Sequence, residues 1–241
     1  RDHIGGGFFR YTVDPSWQEP HFEKMLYDSA QLAVLYFEAA QWLGEEHWAG
    51  VARDTLDFLL GEMLLPDGAF AASLSALDGS SVEGGSYLWT EAALRRALTA
   101  REYDVASTAW GLQGIPVFSS GYLPRQVLDT AALRQRFGTD AAEVLAAARG
   151  KLLRARSVRM APRDDKRIAA WNGLVLQALS LAVQQGDEAR YRAAARRLRD
   201  YLVTRLWDGS RLARAADQRG PVPGDGMLED YAQVAAGLAA W

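Results

Sequence analysis

One pattern occurs twice in this chain in the same order: an apolar helix, a short break, an amphipathic helix and an Asp-Gly turn. From Met25 to Trp42 the residues are apolar almost all round. Leu26, Ala30, Ala33, Val34 and Phe37 make one helical stripe, and Leu32, Leu35 and Tyr36 cover much of the rest. That pattern predicts a helix buried on most sides, ended by Gly44. From Glu46 to Met63 the apolar residues fall on one side only (Trp48, Val51, Ala52, Leu56, Leu59, Met63), which predicts an outer helix before the turn Pro66-Asp67-Gly68. The second copy has an inner helix with Ile168, Trp171, Leu174, Val175, Ala178, Leu179 and Ala182, broken at Gly186-Asp187. Its outer helix carries Tyr191, Ala194, Ala195, Leu198, Leu202 and Leu206 and turns at Asp208-Gly209. A third inner helix opens at Met227-Leu228-Glu229-Asp230-Tyr231. Stacked helical hairpins close into an α/α toroid or remain an open solenoid. Inner helices apolar on both faces favour the filled toroid, so the expected class is all-α.

Shorter helices lie between the copies. Thr90 is placed to cap Glu91–Ala100, and Asp140 with Glu143 has capping-box spacing ahead of Leu145 and Leu152. Arg149, Lys151, Arg154 and Arg156 suit that helix's C-terminal end. Residues 111–130 read as an excursion. Asp164 or Asp165 is expected to cap the second inner helix, and the arginines of 190–205 to form a solvated outer face.

An apolar fraction of 49% over 241 residues supplies a large core. The net charge of −3 gives no general pull toward nucleic acid or anionic membrane. There is no cysteine, which excludes disulfides, thiolate metal sites and cysteine nucleophiles and fits a cytoplasmic protein. No apolar run reaches the roughly 18–20 residues that span a bilayer, and Arg1-Asp2-His3-Ile4-Gly5 has no signal-peptide character. The start without methionine and the stop at Trp241 inside a helical pattern predict a fragment, part of a single toroid domain whose last hairpins are absent.

Aligning the inner helices by their starts matches Tyr27-Asp28 with Trp171-Asn172 and Glu229-Asp230. In a toroid such ends converge on one mouth. Helix N-termini favour negative charge, which suits Asp28 and Asp230 to be a base, a nucleophile or a hydroxyl acceptor. Backbone capping is the competing role for Asn172 and Asp28. The preceding loop crowds Trp17, Glu19, His21, Phe22, Glu23 and Lys24 together, and His21 is the best acid/base candidate there. Its competing role is a hydrogen bond to backbone. Arg10 and Tyr11 are further mouth residues. The three histidines lack metal-ligand spacing, and Gly5-Gly6-Gly7 has no phosphate-loop context, so neither a metal nor a cofactor is expected. A second loop offers Asp78, Glu83, Tyr87 and Trp89, the mixture of acids and rings with which proteins grip sugars.

Several stretches carry a resemblance. They are Asp2-His3-Ile4-Gly5-Gly6-Gly7-Phe8-Phe9-Arg10-Tyr11-Thr12-Val13-Asp14, then Trp17 with Pro20-His21-Phe22-Glu23-Lys24-Met25-Leu26-Tyr27-Asp28. Val82-Glu83-Gly84, Tyr87-Leu88-Trp89, Asp165-Lys166, Trp171-Asn172-Gly173-Leu174 and Leu228-Glu229-Asp230-Tyr231-Ala232 continue it. Together they resemble the thioredoxin-domain-containing proteins of the spermatogenesis-associated protein 20 type. The resemblance implies a six-hairpin glycosidase-like toroid, akin to N-acylglucosamine 2-epimerases, with a thioredoxin-like domain of the same polypeptide as partner. Two departures stand out: Phe9 occupies a position where the family usually has histidine, and the loop between Asp78 and Val82 is short.

Two functions follow. A carbohydrate-active enzyme would hydrolyse glycosides with two carboxylates, about 5–5.5 Å or about 6.5–9.5 Å apart, or epimerise sugars by acid/base chemistry. Asp28 with Asp230, or Glu23 with Asp230, are the candidate pairs, and His21 is the candidate for epimerisation. Arg10, Tyr11, Trp17, Tyr27, Asp78, Glu83, Trp89, Trp171, Asn172, Glu229 and Tyr231 would bind the sugar. The alternative is a non-catalytic sugar-binding or scaffolding module.

Overall fold

The computed structural model describes residues 1–186 and 189–241. Its helices are α1 (Leu26–Leu43), α2 (Glu46–Phe58), α3 (Glu91–Ala97), α4 (Ala100–Ala109), α5 (Thr130–Phe137), α6 (Ala141–Arg156), α7 (Ala169–Gln184), α8 (Ala189–Tyr201) and α9 (Leu228–Ala240). Short strands join them: β1 (Tyr11–Thr12), β2 (Pro20–His21), β3 (Lys24–Met25), β4 (Ser73–Leu74), β5 (Arg163–Asp164), β6 (Arg167–Ile168), β7 (Ala215–Asp217) and β8 (Gly220–Pro221). The fold is helical hairpins of the α/α-toroid type, with strands only two or three residues long at the hairpin ends. The chain divides into two compact units. The first is Arg1–Glu23 with Ser75–Pro162, and the second is Lys24–Leu74 with Arg163–Trp241.

The second unit holds the repeat. In it α7 packs against α1 on one side and α9 on the other, with α2 against α1 and α8 against α7. The structural equivalence of the copies runs deeper than their hydrophobic pattern. Both outer helices finish in a π-helical turn, Leu59–Met63 and Leu202–Leu206. Both inner helices start at the end of a short strand, β3 or β6. Neither start has a capping side chain. The first amide is met instead by a carbonyl from the chain beyond the outer helix: Leu26 donates to Ala72 and Ala169 to Arg214, each at 2.9 Å. The residue expected to cap the second inner helix does something else. Asp164 accepts from the amide and ammonium of Lys166, and Asp165 pairs with Arg163. The loop geometry has already satisfied the helix start, so neither carboxylate is needed there.

These shared landmarks set the register. Leu26 matches Ala169, Asp28 matches Trp171 and Ser29 matches Asn172. The alignment of Tyr27-Asp28 with Trp171-Asn172 is therefore displaced by one residue. Each inner helix is apolar on most faces, and such a sequence has little phase to lock an alignment.

Between α7 and α9 the backbones nearly touch. A Cβ on Gly173 would lie 2.5 Å from the carbonyl of Gln233, and one on Gly237 would lie 2.5 Å from the carbonyl oxygen of Gly173. Both positions require glycine because another backbone occupies the side-chain space. Helix α1 is less enclosed than its composition predicts. Ala30, Ala33 and Phe37 are buried, but Leu35, Trp42 and Leu43 are exposed on a face that neither α2 nor α7 covers. Gly44 ends it in the left-handed conformation (φ 69°), its amide bonded to Ala40. Of the Gly186-Asp187 break, Asp187 lies outside the described residues. The arginine face of α8 is in part engaged: Arg190 pairs with Asp57 of α2, and Arg197 donates to the Pro66 carbonyl.

The first unit is built on α3 to α6, around Ile4, Trp89, Leu94, Val105, Trp110, Leu133 and Leu152. Thr90 caps α3 as expected, but the helix stops at Ala97 because Thr99 and Glu102 form a reciprocal capping box that starts α4. Asp140 precedes α6 without capping it; its carboxylate instead takes the Arg101 guanidinium at 2.6 Å. Residues 111–129 hold no helix. The triple glycine forms a tight turn: Gly6 and Gly7 have φ of 79° and 70°, and Asp2 accepts from the Ile4 and Gly5 amides. The same Asp2 carboxylate pairs with the buried Arg156 at 2.6 Å, and that guanidinium fills the space a side chain on Gly5 would need.

Candidate active site around His21

The clearest concentration of reactive groups lies in the first unit, on the ribbon β1–β2. Its register sets Tyr11 opposite His21, and the rings stack at 4.9 Å with 27° between planes. The pairing continues through the Arg10 amide, which donates to the Glu23 carbonyl. Side chains along His21-Phe22-Glu23 alternate as in any strand. Phe22 points into an aromatic cluster with Phe9, Tyr87 and Phe118, while His21 and Glu23 remain partly open to solvent.

Both ring nitrogens of His21 therefore meet a carboxylate. Nε2 lies 3.2 Å from Glu23, and Nδ1 lies 3.4 Å from Glu83. Arg10 holds the same Oε2 of Glu23 at 2.9 Å. Glu83 reaches His21 because its loop is tightly wound. Asp78 accepts from the Ser80 and Val82 amides, Ser81 takes the left-handed conformation, and Gly84 (φ 69°) lies directly on the Phe22 ring. A Cβ on Gly84 would sit 2.7 Å from that ring, so glycine lets the loop settle close enough for the contact. Phe9 meets Phe22 and Tyr87 edge-on at 5.4 and 5.0 Å, which makes it part of the apolar cluster around Phe22.

Trp17 stands at the tip of the β1–β2 loop, 80% exposed and at a left-handed φ of 58°. The loop is organised by Asp14, which accepts from Ser16, Gln18 and Glu19. The Ser16 hydroxyl first, and the Glu19 amide next, hold its carboxyl below the usual range.

The remaining candidates separate by role. Asp78 is engaged in shaping its own loop. Trp89 is 2% exposed with Arg159 over its ring, away from solvent. In the second unit, Asn172 is buried and fully used: its side-chain oxygen accepts from Phe70, and its amide donates to Phe70 and Ile168. Asp230 is buried as well. One oxygen accepts from the Ala170 amide of α7, the other from Met227 at the start of its own helix. A carboxylate spent on two backbone amides is an anchor, and this corrects its assignment as a partner in hydrolysis. Tyr231 accepts from the Leu212 amide through its hydroxyl, and Glu229 is exposed. Tyr27 and Trp171 lie against each other at 4.8 Å, and Asp28 sits half-buried in the first turn of α1. Among the described residues no group of three or more acidic or histidine side chains is arranged to hold a metal ion. None of their helices is long and apolar enough to cross a membrane.

No protein-family model matches the chain. Curated proteins do. Spermatogenesis-associated protein 20 of Homo sapiens is 32% identical over 99% of this chain. Over nearly all of its own length the chain is similar to spermatogenesis-associated protein 20. The Mus musculus protein of that name is 31% identical over the same share, and an uncharacterized protein of Caenorhabditis elegans is 27% identical over 89%. The chain spans 35% of the length of the human relative. Among solved structures, a D-mannose isomerase matches 90% of this chain and 51% of its own at 13% identity, with a TM-score of 0.30. A cellobiose 2-epimerase from Spirochaeta thermophila matches 98% and 58% at 16% identity, with a TM-score of 0.33. Likeness at those values does not extend to activity.

Proposed function

We propose that this protein is a carbohydrate-active enzyme whose His21 moves a proton at the carbon next to a sugar carbonyl. The observation that carries this reading is the placement of His21 between Glu23 and Glu83. An imidazole oriented by a carboxylate is a usual general base. Glu23, itself fixed by Arg10, orients the ring through Nε2. The longer Nδ1 contact is to Glu83, whose side chain is 59% exposed and free to yield to a substrate. His21 would take the proton from C2 of an open-chain aldose, leaving an enediolate with its charge on O1, and return it to C1 while the O2 proton passes to O1, which gives the ketose. No co-reactant is needed. Epimerisation would require a second acid on the opposite face, and one imidazole favours isomerisation. Tyr11 and Trp17 offer exposed ring faces for the C–H surface of a sugar.

The test is incubation with aldoses in D2O, followed by NMR of the C2 proton. Exchange that disappears in His21→Gln supports the reading. Exchange that persists in that variant, or its absence for every aldose tried with the unaltered protein, removes it. Sugar binding without exchange would favour the non-catalytic module.

A further inference from the structure

Trp89 belongs to a different place in the first unit. With Thr90, Arg96, Ser120, Ala155 and Arg159 it lines a cavity of about 460 Å³, within the usual range for small-molecule sites. Ala93, Ala97 and Ala155 leave room there because α3 and α6 carry small residues on the facing sides.

The charge in this cavity is unbalanced. Arg159 is half-buried, its guanidinium 4.4 Å from the Trp89 ring centroid. Nη1 donates to the carbonyls of Gly85 (2.8 Å) and Leu88 (2.9 Å), which hold the group in place without neutralising it. Among the described residues no carboxylate forms an ion pair with Arg159, and its Nη2 has no hydrogen-bond partner. The buried indole Nε1 of Trp89 has none either. Burial first, and the charge of Arg156 second, push the Arg159 pKa down, with Asp78 acting the other way. Arg96 adds a second cation, and no acidic side chain among the described residues lines the space. A partly desolvated charge is costly unless something pairs with it.

We propose that this cavity binds a small ligand carrying an oxyanion, a carboxylate or a phosphate. Nη1 of Arg159 is spent on the two carbonyls, so Nη2 and the positive charge are what the guanidinium offers to either group, and the hydroxyls of Thr90 and Ser120 supply further donors. Val158 and the alanines suit a compact organic body attached to the anion. The proposal is independent of the chemistry at His21.

Calorimetric titration of the protein tests it, with D-glucuronate as the carboxylate arm, inorganic phosphate as the phosphate arm and D-glucose as the neutral control. Saturable binding is expected for at least one anion and not for glucose. Arg159→Gln and Arg96→Gln are each expected to weaken it tenfold or more. Arg96 is exposed, so its variant remains informative if loss of the Arg159 contacts to Gly85 and Leu88 impairs folding. The proposal is overturned if neither anion binds, if glucose binds as well as glucuronate, or if either variant folds and keeps the original affinity.

Discussion

His21 and Asp230 both bring a charged or polar group to helix or strand ends, yet their surroundings assign them opposite work. His21 is partly exposed and meets two side chains that are themselves partly exposed. Glu23→Gln should therefore lower C2 exchange by about 10²-fold or more, in the range of a lost acid/base partner, while circular dichroism stays unchanged. Asp230 is buried on two backbone amides. Asp230→Ala should destabilise the fold by roughly 2 kcal/mol, since it strands two amides, and a lowered urea midpoint would show it. The two roles are hard to separate in sequence. Asp230 follows a helix start as a capping residue does and as a catalytic carboxylate can. Only burial and the Ala170 contact, which is 60 residues distant, distinguish them. For the His21 cluster, His21 and Glu23 stood out through the crowding of their loop, Arg10 and Tyr11 as further mouth residues, and Glu83 through its mixed loop. What did not stand out was that Glu83 would reach His21, because this depends on how tightly Asp78 and Gly84 wind that loop.

At the scale of elements, the seam between α7 and α9 makes its own prediction. Alanine is the better helix former than glycine by about 1 kcal/mol, so Gly173→Ala in open space would stabilise. Here a Cβ would sit 2.5 Å from the Gln233 backbone, and backbone cannot swing aside as a side chain can. The expected sign is reversed: a loss of about 1–3 kcal/mol, measurable as a lowered thermal midpoint. The pair α4–α6 carries a pH dependence. Glu102 of α4 accepts from Lys151 of α6 at 2.7 Å, and this bond first, with the Thr99 amide next, holds its carboxyl below the usual range. A carboxyl depressed in the folded state stabilises the fold above its unfolded range, and that contribution is lost as pH falls through the folded value. Urea titrations should show Glu102→Gln less stable than the parent at neutral pH, with the gap closing in acid. The inner and outer helices were legible in sequence because burial on one face or several writes a clear hydrophobic pattern. The strands were not, since two residues are too few for any alternation to be seen.

At the scale of the molecule, the repeat in the second unit is a repeat of connections as much as of helices. Each outer helix ends in a π-helical turn, and the chain beyond it returns a carbonyl to the first amide of the inner helix before it. A hairpin of this kind is closed on itself. In an array of such hairpins each would open with its own free energy, coupled only to its neighbours. The carboxylate of Asp230 removes that independence for one pair, because the amides of Ala170 and Met227 depend on the two oxygens of one side chain. In hydrogen-exchange terms these amides, 57 residues apart, should behave as members of one cooperative opening. They would slow together, exchange together, and lose protection together when Asp230 is replaced.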